Sequence, residues 1–203
     1  MKIQQFAVVT LPLAALLAAG CISVEKTDHH EHSAATTSAT NAHAHVSAWE
    51  AVNHAVAVIR PTAGNQCAGI VHFHKVGDAV KVVAEISGLT PNQAHGFHVH
   101  ELGDVSGADG TATGGHYNPE GHSHALPTTS LRHAGDFGNL QADASGNARM
   151  ELTVANISIA GLRNPVLGRG VIVHAKTDDG GQPTGNAGAR IGQGVIGLAK
   201  TGE

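Results

Sequence analysis

Cysteine is nearly absent: Cys21 and Cys67 are the only two in 203 residues. Exported proteins are free to cross-link with disulfides, but if Cys21 is used otherwise, Cys67 has no partner within the chain. It then reads as a small buried hydrophobe. A basic face is also missing. Twelve Lys and Arg against sixteen Asp and Glu give a formal net charge of −4, and the lysines are scattered, which argues against nucleic acid as a partner. Nowhere do apolar residues recur at helical spacing over three turns, so a helical domain is not expected. The apolar run at the start is too short and too rich in small residues for a stable membrane span.

That start, "MKIQQFAVVTLPLAALLAAGC", has a basic residue at Lys2, a short apolar stretch and small residues ending at a cysteine. It reads as an export signal over residues 1–20. The ending "LAAGC" resembles a bacterial lipoprotein processing site, with Ala18 where leucine is commoner. The resemblance implies cleavage before Cys21, a lipid on its sulfur, and a membrane-anchored protein of the cell envelope or periplasm. Residues 21–48 are rich in Ser, Thr, Ala and His with almost no large apolar side chain. Such a segment cannot offset its ordering entropy by burial and is expected to be a flexible tether. Its His29, His30, His32, His43 and His45 are candidates for capturing metal. Residues 49–203 are left as one domain with enough apolar content for a core.

Within that domain, short runs alternate apolar with polar or small residues: "HAVAVIRP", "CAGIVHFHK", "AVKVVAEISGL", "HGFHVHEL", "GNLQADASGNARMELTVA", "RGVIVHAK" and "GVIGLAK". Turn signals such as "VGDA" and "DASGN" separate them, which predicts an all-β antiparallel sandwich or barrel. Two regions break the pattern, residues 103–136 and 177–189, both dominated by Gly, Pro, Asn, Asp, Ser and Thr. The first is long enough to need an organiser or a function. A metal would serve, because that loop holds His116, His122, His124, His133 and Asp136.

Successive side chains on a strand point to opposite faces, so His98 and His100 of "GFHVHE" share one face while Val99 packs on the other. The same spacing recurs at His72 and His74 in "VHFHK", where Val71 and Phe73 would take the core and the histidines the solvated side. What sets His98 and His100 apart is the ligand-rich loop that follows them. His174 likewise ends the apolar run "VIVH" directly before the second loop. Imidazoles with few thiolates and one carboxylate suit zinc or copper rather than calcium or magnesium.

The segments "GFHVHELGD", "GGHYNP", "RHAGDFGN", "VIVHAKTDD" and "GNAGARIGQGVIG" together resemble the copper–zinc superoxide dismutases, in the family's order, from about Trp49 to the C-terminus. The resemblance implies a flattened eight-stranded antiparallel Greek-key barrel, a sandwich of immunoglobulin-like kind, with two long loops forming the site outside it. It assigns His98, His100, His116 and His174 to copper, and His116, His124, His133 and Asp136 to Zn2+. His116 would bridge the metals, and the spacing selects His124 over His122. Asp178 matches a carboxylate that hydrogen-bonds His98 and His124, and His95 matches a histidine bonded to backbone. Arg190 matches an arginine that guides superoxide, the implied substrate, while His116 and Arg190 would take part in turnover. A homodimer stays open. A copper- or zinc-storing lipoprotein on the same fold, with little turnover, is the alternative reading.

The chain departs from the family at one pair of positions. Gly110 and Gln193 stand where the resemblance would place the two cysteines that tie the first loop to a strand. Without that disulfide the loop is expected to depend on hydrogen bonds and on zinc.

Overall fold

The computed structural model describes Trp49 and residues 51–200. The export signal, Cys21 and the His-rich tether lie outside the described residues. Nine strands are described: β1 (His54–Pro61), β2 (Ala68–Val76), β3 (Ala79–Ser87), β4 (Ala94–His100), β5 (Asp136–Gln141), β6 (Ala148–Val154), β7 (Gly170–His174), β8 (Arg190–Val195) and β9 (Gly197–Leu198), with a single 3-10 turn at Thr111–Thr113.

The two-residue period governs the first three strands. β1 buries Ala55, Ala57 and Ile59, β2 buries Val71 and Phe73, and β3 buries Val80, Val82, Ala84 and Ile86. The intervening residues stand on the outer face. Phe73, Phe97 and Phe137 meet in the centre of the core, with Phe137 5.7 Å from Phe97 and 6.5 Å from Phe73 between ring centroids. The "VGDA" turn joins β2 to β3, and Gly77 there takes a φ of 60°, the left-handed conformation that suits glycine.

Hydrogen-bonded neighbours run β5-β4-β7-β8-β1-β2-β3-β6, all antiparallel, and β9 pairs with β1. The ends of that row, β5 and β6, are consecutive in sequence and meet through the "DASGN" turn. There Asp143 Oδ1 accepts from the N–H of Ser145 and Asn147. The row therefore curls back on itself into a nearly closed, flattened barrel, the eight-stranded Greek-key arrangement expected.

β4 is buried on both faces. Phe97 and Val99 enter the core, and His98 and His100 lie on the opposite face, 0% and 1% exposed. The loops cover them: Val99 N–H donates to Gly135 O and Tyr117 N–H to Val99 O, each at 2.9 Å, so the middle and the far end of the first loop are laced to β4. Asp136 differs from expectation in opening β5 rather than closing the loop, opposite His98.

The last strand also differs. The sequence suggests a strand from Gly194, whereas β8 begins at Arg190 and pairs with β7 and β1. Gly192 and Gly194 resemble loop glycines but serve close packing. A Cβ on Gly192 would stand 2.6 Å from Cys67 Sγ and 2.9 Å from Ile59 Cγ2, and one on Gly194 2.6 Å from Val58 O. Cys67 itself is fully buried, and that burial pushes its thiol up to about 12, so it is an inert packing group. Gly192→Ala is expected to cost about 1–3 kcal/mol by overpacking. Adding Cys67→Ala should restore part of the loss, so the pair should be non-additive in a urea-unfolding double-mutant cycle. Strict additivity would show that the two side chains do not share this space.

Candidate metal centre

β4 contributes His98 and His100, β7 ends on His174, and the first loop brings His116 beside them through an isolated antiparallel bridge between His100 and His116. These four rings form one group whose ligand atoms all lie within 4.8 Å of one another. A second group with the same closeness contains His116, His124, His133 and Asp136. His116 belongs to both. Its ring lies 3.9 Å from that of His98 on one side, and its Nδ1 lies 3.0 Å from Asp136 Oδ1 on the other.

Which nitrogen each ring presents is fixed by what its other nitrogen does. His98 Nε2 and His124 Nε2 donate to Asp178 Oδ2 and Oδ1, both at 2.9 Å. His100 Nδ1 donates to Gly114 O and His174 Nδ1 to Gly188 O, at 3.0 and 3.2 Å. A carbonyl or carboxylate only accepts, so each opposite nitrogen carries a lone pair. His98 Nδ1, His100 Nε2, His174 Nε2 and His124 Nδ1 are buried and make no hydrogen bond. Buried polar atoms are rarely left this way, and the four lie in two groups that could each hold a metal ion.

The second group has the dimensions of a small tetrahedron. Asp136 Oδ1 lies 3.0 Å from His116 Nδ1 and 3.2 Å from His133 Nδ1, and the two nitrogens are 3.4 Å apart. Bonds of about 2.0–2.1 Å around a tetrahedral zinc imply edges of about 3.3 Å. His124 Nδ1 is 3.0 Å from Asp136 Oδ2 without hydrogen-bond geometry.

The remaining candidates separate cleanly. His122 is part-exposed and donates to Glu120 at 3.0 Å, outside both groups. His95 donates to His174 O at 2.8 Å. Asp178 is buried and Asp179 exposed. Asp178 is held by a reciprocal pair, its N–H donating to Asn139 Oδ1 at 2.7 Å and Asn139 Nδ2 donating to its carbonyl at 2.9 Å. Gly185, with a φ of 75°, passes so close that a Cβ would overlap Asp178 Oδ1. Arg190 is half-buried, and its fork donates to Gly110 O at 2.6 Å, Thr113 Oγ1 at 2.9 Å and Gly114 O at 2.7 Å.

Four supporting residues escape sequence reasoning. Arg132 is buried and donates to Asp136 O and Thr129 O. Gln182, from the second loop, pairs reciprocally with the backbone of His124, giving to its carbonyl at 2.7 Å and accepting from its N–H at 3.2 Å. Asn139 holds Asp178, and Gln193 Nε2 donates to Gly107 O at 2.9 Å. All four act through main-chain groups, for which no local motif exists, and for Asn139, Gln182 and Gln193 those groups are distant in sequence.

Burial dominates the electrostatics. Desolvation lowers His98 to about 4, His174 to about 3 and His100 to about 2, and also lowers His116. For Asp178, burial alone would raise the carboxyl, but bonds from His98, His124 and the Gly180 N–H outweigh it and bring it to about 2. Asp136 is held well below the carboxylate range by His116 and His133 against the same opposing effect of burial.

A model of the family described as copper/zinc superoxide dismutase matches residues 67–196. The chain belongs to the copper/zinc superoxide dismutase family. It is 46% identical over 140 residues to the superoxide dismutase [Cu-Zn] of Paramecium bursaria Chlorella virus 1, covering 65% of this chain and 73% of that one. The enzyme of the same name from Schizosaccharomyces pombe is 40% identical over 154 residues, 71% of this chain and 97% of its own. An extracellular superoxide dismutase [Cu-Zn] of Onchocerca volvulus is 41% identical over 157 residues, 71% and 76% of the two chains. Copper and zinc are the family's metals, and the two donor groups of this chain fit them: nitrogen-rich, buried, with lone pairs already aimed inward.

The pH dependence of the metal-free protein follows. His98, His100 and His174 have folded values below the 6.5 of the unfolded chain, so the unfolded state binds more protons as pH falls. The stability they contribute is whole above 6.5 and is lost toward 4 and below. Asp136 and Asp178, also depressed, add losses in the same direction below about 4. The urea midpoint of the metal-free protein should therefore fall from pH 7.5 to pH 5, and a flat or rising midpoint would contradict these burial effects.

Proposed function

We propose that this chain disproportionates superoxide to oxygen and hydrogen peroxide, with His98, His100, His116 and His174 holding copper and His116, His124, His133 and Asp136 holding zinc. The observation that carries this reading is the ring of His116, shared by two donor groups whose other nitrogens are kept unprotonated by Asp178, Gly114 O and Gly188 O. Copper supplies the one-electron exchange, and zinc, which does not change oxidation state, supplies charge and geometry.

The chain's own residues do the rest. Superoxide is an anion and the protein is acidic overall, so attraction has to be local. The Arg190 guanidinium, fixed by three acceptors beside His100 and His174, provides a positive donor fork at that place. Two superoxide ions and two protons give one oxygen and one hydrogen peroxide, so protons must be delivered as well as electrons. Among His98, His100, His116 and His174, His116 is the one bound on its second nitrogen to no backbone carbonyl and not to Asp178. It is therefore suited to carry a proton on Nε2 and pass it to peroxide, and burial makes that proton easy to release.

The same proposal includes the finer features read from the sequence. Residues 1–20 direct export, Cys21 carries a lipid that holds the protein at the envelope membrane, residues 21–48 form the tether and residues 49–203 form the enzyme domain. The first loop is held without the family's disulfide. Support for this comes from Cys67, free and buried, and from the bonds of Arg190 and Gln193 to Gly107, Gly110 and Gly114. Gly110 has a φ of 77°, a conformation that disfavours any side chain there.

Superoxide consumption by the metal-loaded protein, measured together with copper and zinc per chain, tests the enzyme reading. Turnover is expected, and its absence at one copper per chain would favour metal storage. Arg190→Gln should lower kcat/KM about tenfold or more and flatten its dependence on salt; an unchanged salt dependence would remove Arg190 from substrate guidance. Melting should drop strongly when metal is stripped and not at all when a thiol reductant is added, whereas a disulfide would be worth about 2–5 kcal/mol. A drop on reduction alone would defeat the disulfide-free reading.

A further inference from the structure

His72 and His74 alternate on β2 and, taken alone, are polar positions on the outer face of a half-buried strand. The fold adds a third imidazole. His54 opens β1 directly opposite His74, and Val56 next to it on the same face stands opposite His72, which makes His54 and His72 diagonal neighbours. The rings of His54 and His74 stack with centroids 4.3 Å apart, those of His54 and His72 are 5.2 Å apart, and those of His72 and His74 are 5.8 Å apart. His54 Nε2 and His72 Nδ1 approach to 3.0 Å, and each residue offers one nitrogen within 4.8 Å of the other two.

We propose that His54, His72 and His74 form a third metal site, on the outer face of the barrel, for a late first-row divalent cation such as Cu2+ or Zn2+. The site goes beyond the dismutase reading and does not depend on it, because β1 and β2 contribute no residue to the buried groups.

Its chemistry follows from its composition. Three neutral imidazoles are donors of the kind copper and zinc accept, and offer nothing to calcium or magnesium, which take oxygen ligands. All three rings are half-buried, so the cation keeps contact with water and at least one position stays open to it. The donors carry no negative charge. Lys81, opposite His74 on β3, adds a positive charge that opposes the cation, and Glu151, 2.7 Å from Lys81, offsets it. The balance makes an exchangeable site, weaker than the buried ones. Two strands fix the spacing of the donors: His72 and His74 are held by the pleat, and His54 by the β1–β2 ladder that continues to Ile59 and Gly69.

The test uses the full chain with its buried copper and zinc in place, and Zn2+ as the probe. Equilibrium dialysis should show that His54→Gln and His72→Gln each bind one zinc fewer per chain than the unsubstituted protein at the same free Zn2+. Copper and zinc retained without added Zn2+ report the buried groups separately, so failure of the outer site and failure of the dismutase site are distinguishable. In the unsubstituted protein, the imidazole NMR signals of His54, His72 and His74 should shift together and saturate in parallel. That measurement stands even where a substitution prevents folding. Equal zinc binding by the variants, or ring signals that stay put or titrate independently, would overturn the proposal.

Discussion

The carboxylate of Asp178 accepts from His98 Nε2 and His124 Nε2, and the geometry of the whole centre is arranged about that pair of bonds. One oxygen serves a strand histidine of the first donor group and the other serves a loop histidine of the second. Both rings are thereby forced to present Nδ1 inward, without a metal to select the tautomer. The carboxylate can do this only if it is itself immobile. Asn139 on β5 clamps its main chain, the Gly180 N–H donates to Oδ1, and Gly185 leaves room where any side chain would intrude. A barrel strand, the second loop and both donor groups therefore meet at one side chain that touches neither proposed metal.

Such a centre is costly to fold without its ions. Six histidines, Asp136 and Asp178 lie buried beside β4, and each would be better solvated in the unfolded chain. The barrel offsets this with a core on the other face of β4, where Phe97 and Val99 pack against Phe137 and Phe73. The first loop adds main-chain bonds to β4 from Tyr117 and Gly135, and Arg190 and Gln193 add side-chain bonds to its first part, at Gly110 and Gly107. Every one of these ties is non-covalent. Rigidity at the centre thus comes from many moderate hydrogen bonds to a preformed strand, each worth about 1 kcal/mol.

Much of this was legible in the sequence, and the exceptions have physical reasons. β1, β2 and β3 are half-buried, so alternation of apolar and polar residues marks them clearly. β4 was recognisable through His98 and His100 because the loop after it is so unlike the strands around it. β8 was not, since Gly192 and Gly194 meet a packing demand from Cys67, Ile59 and Val58 that lies far away in the chain. The donor residues were visible as residue types at motif spacing, whereas Arg132, Asn139, Gln182 and Gln193 were not. Each of those four binds main-chain atoms of a residue whose identity is irrelevant to the bond, and so leaves no pattern to read. His54 was hidden for a different reason, because strand register, and not sequence proximity, brings it to His72 and His74.

Gln182 has one more implication. Its amide is matched on both sides by the backbone of His124, so the second loop completes its bonds only when the first is already in place, and the reverse holds as well. Asp178 adds to the same mutual requirement through His124. A chain with one loop seated and the other detached would leave the Gln182 amide without its partners and strand the buried Asp178 carboxylate and His124 imidazole at once. The two loops accordingly behave as one cooperative unit, seated or unseated together, and water either reaches the whole centre or is kept from all of it.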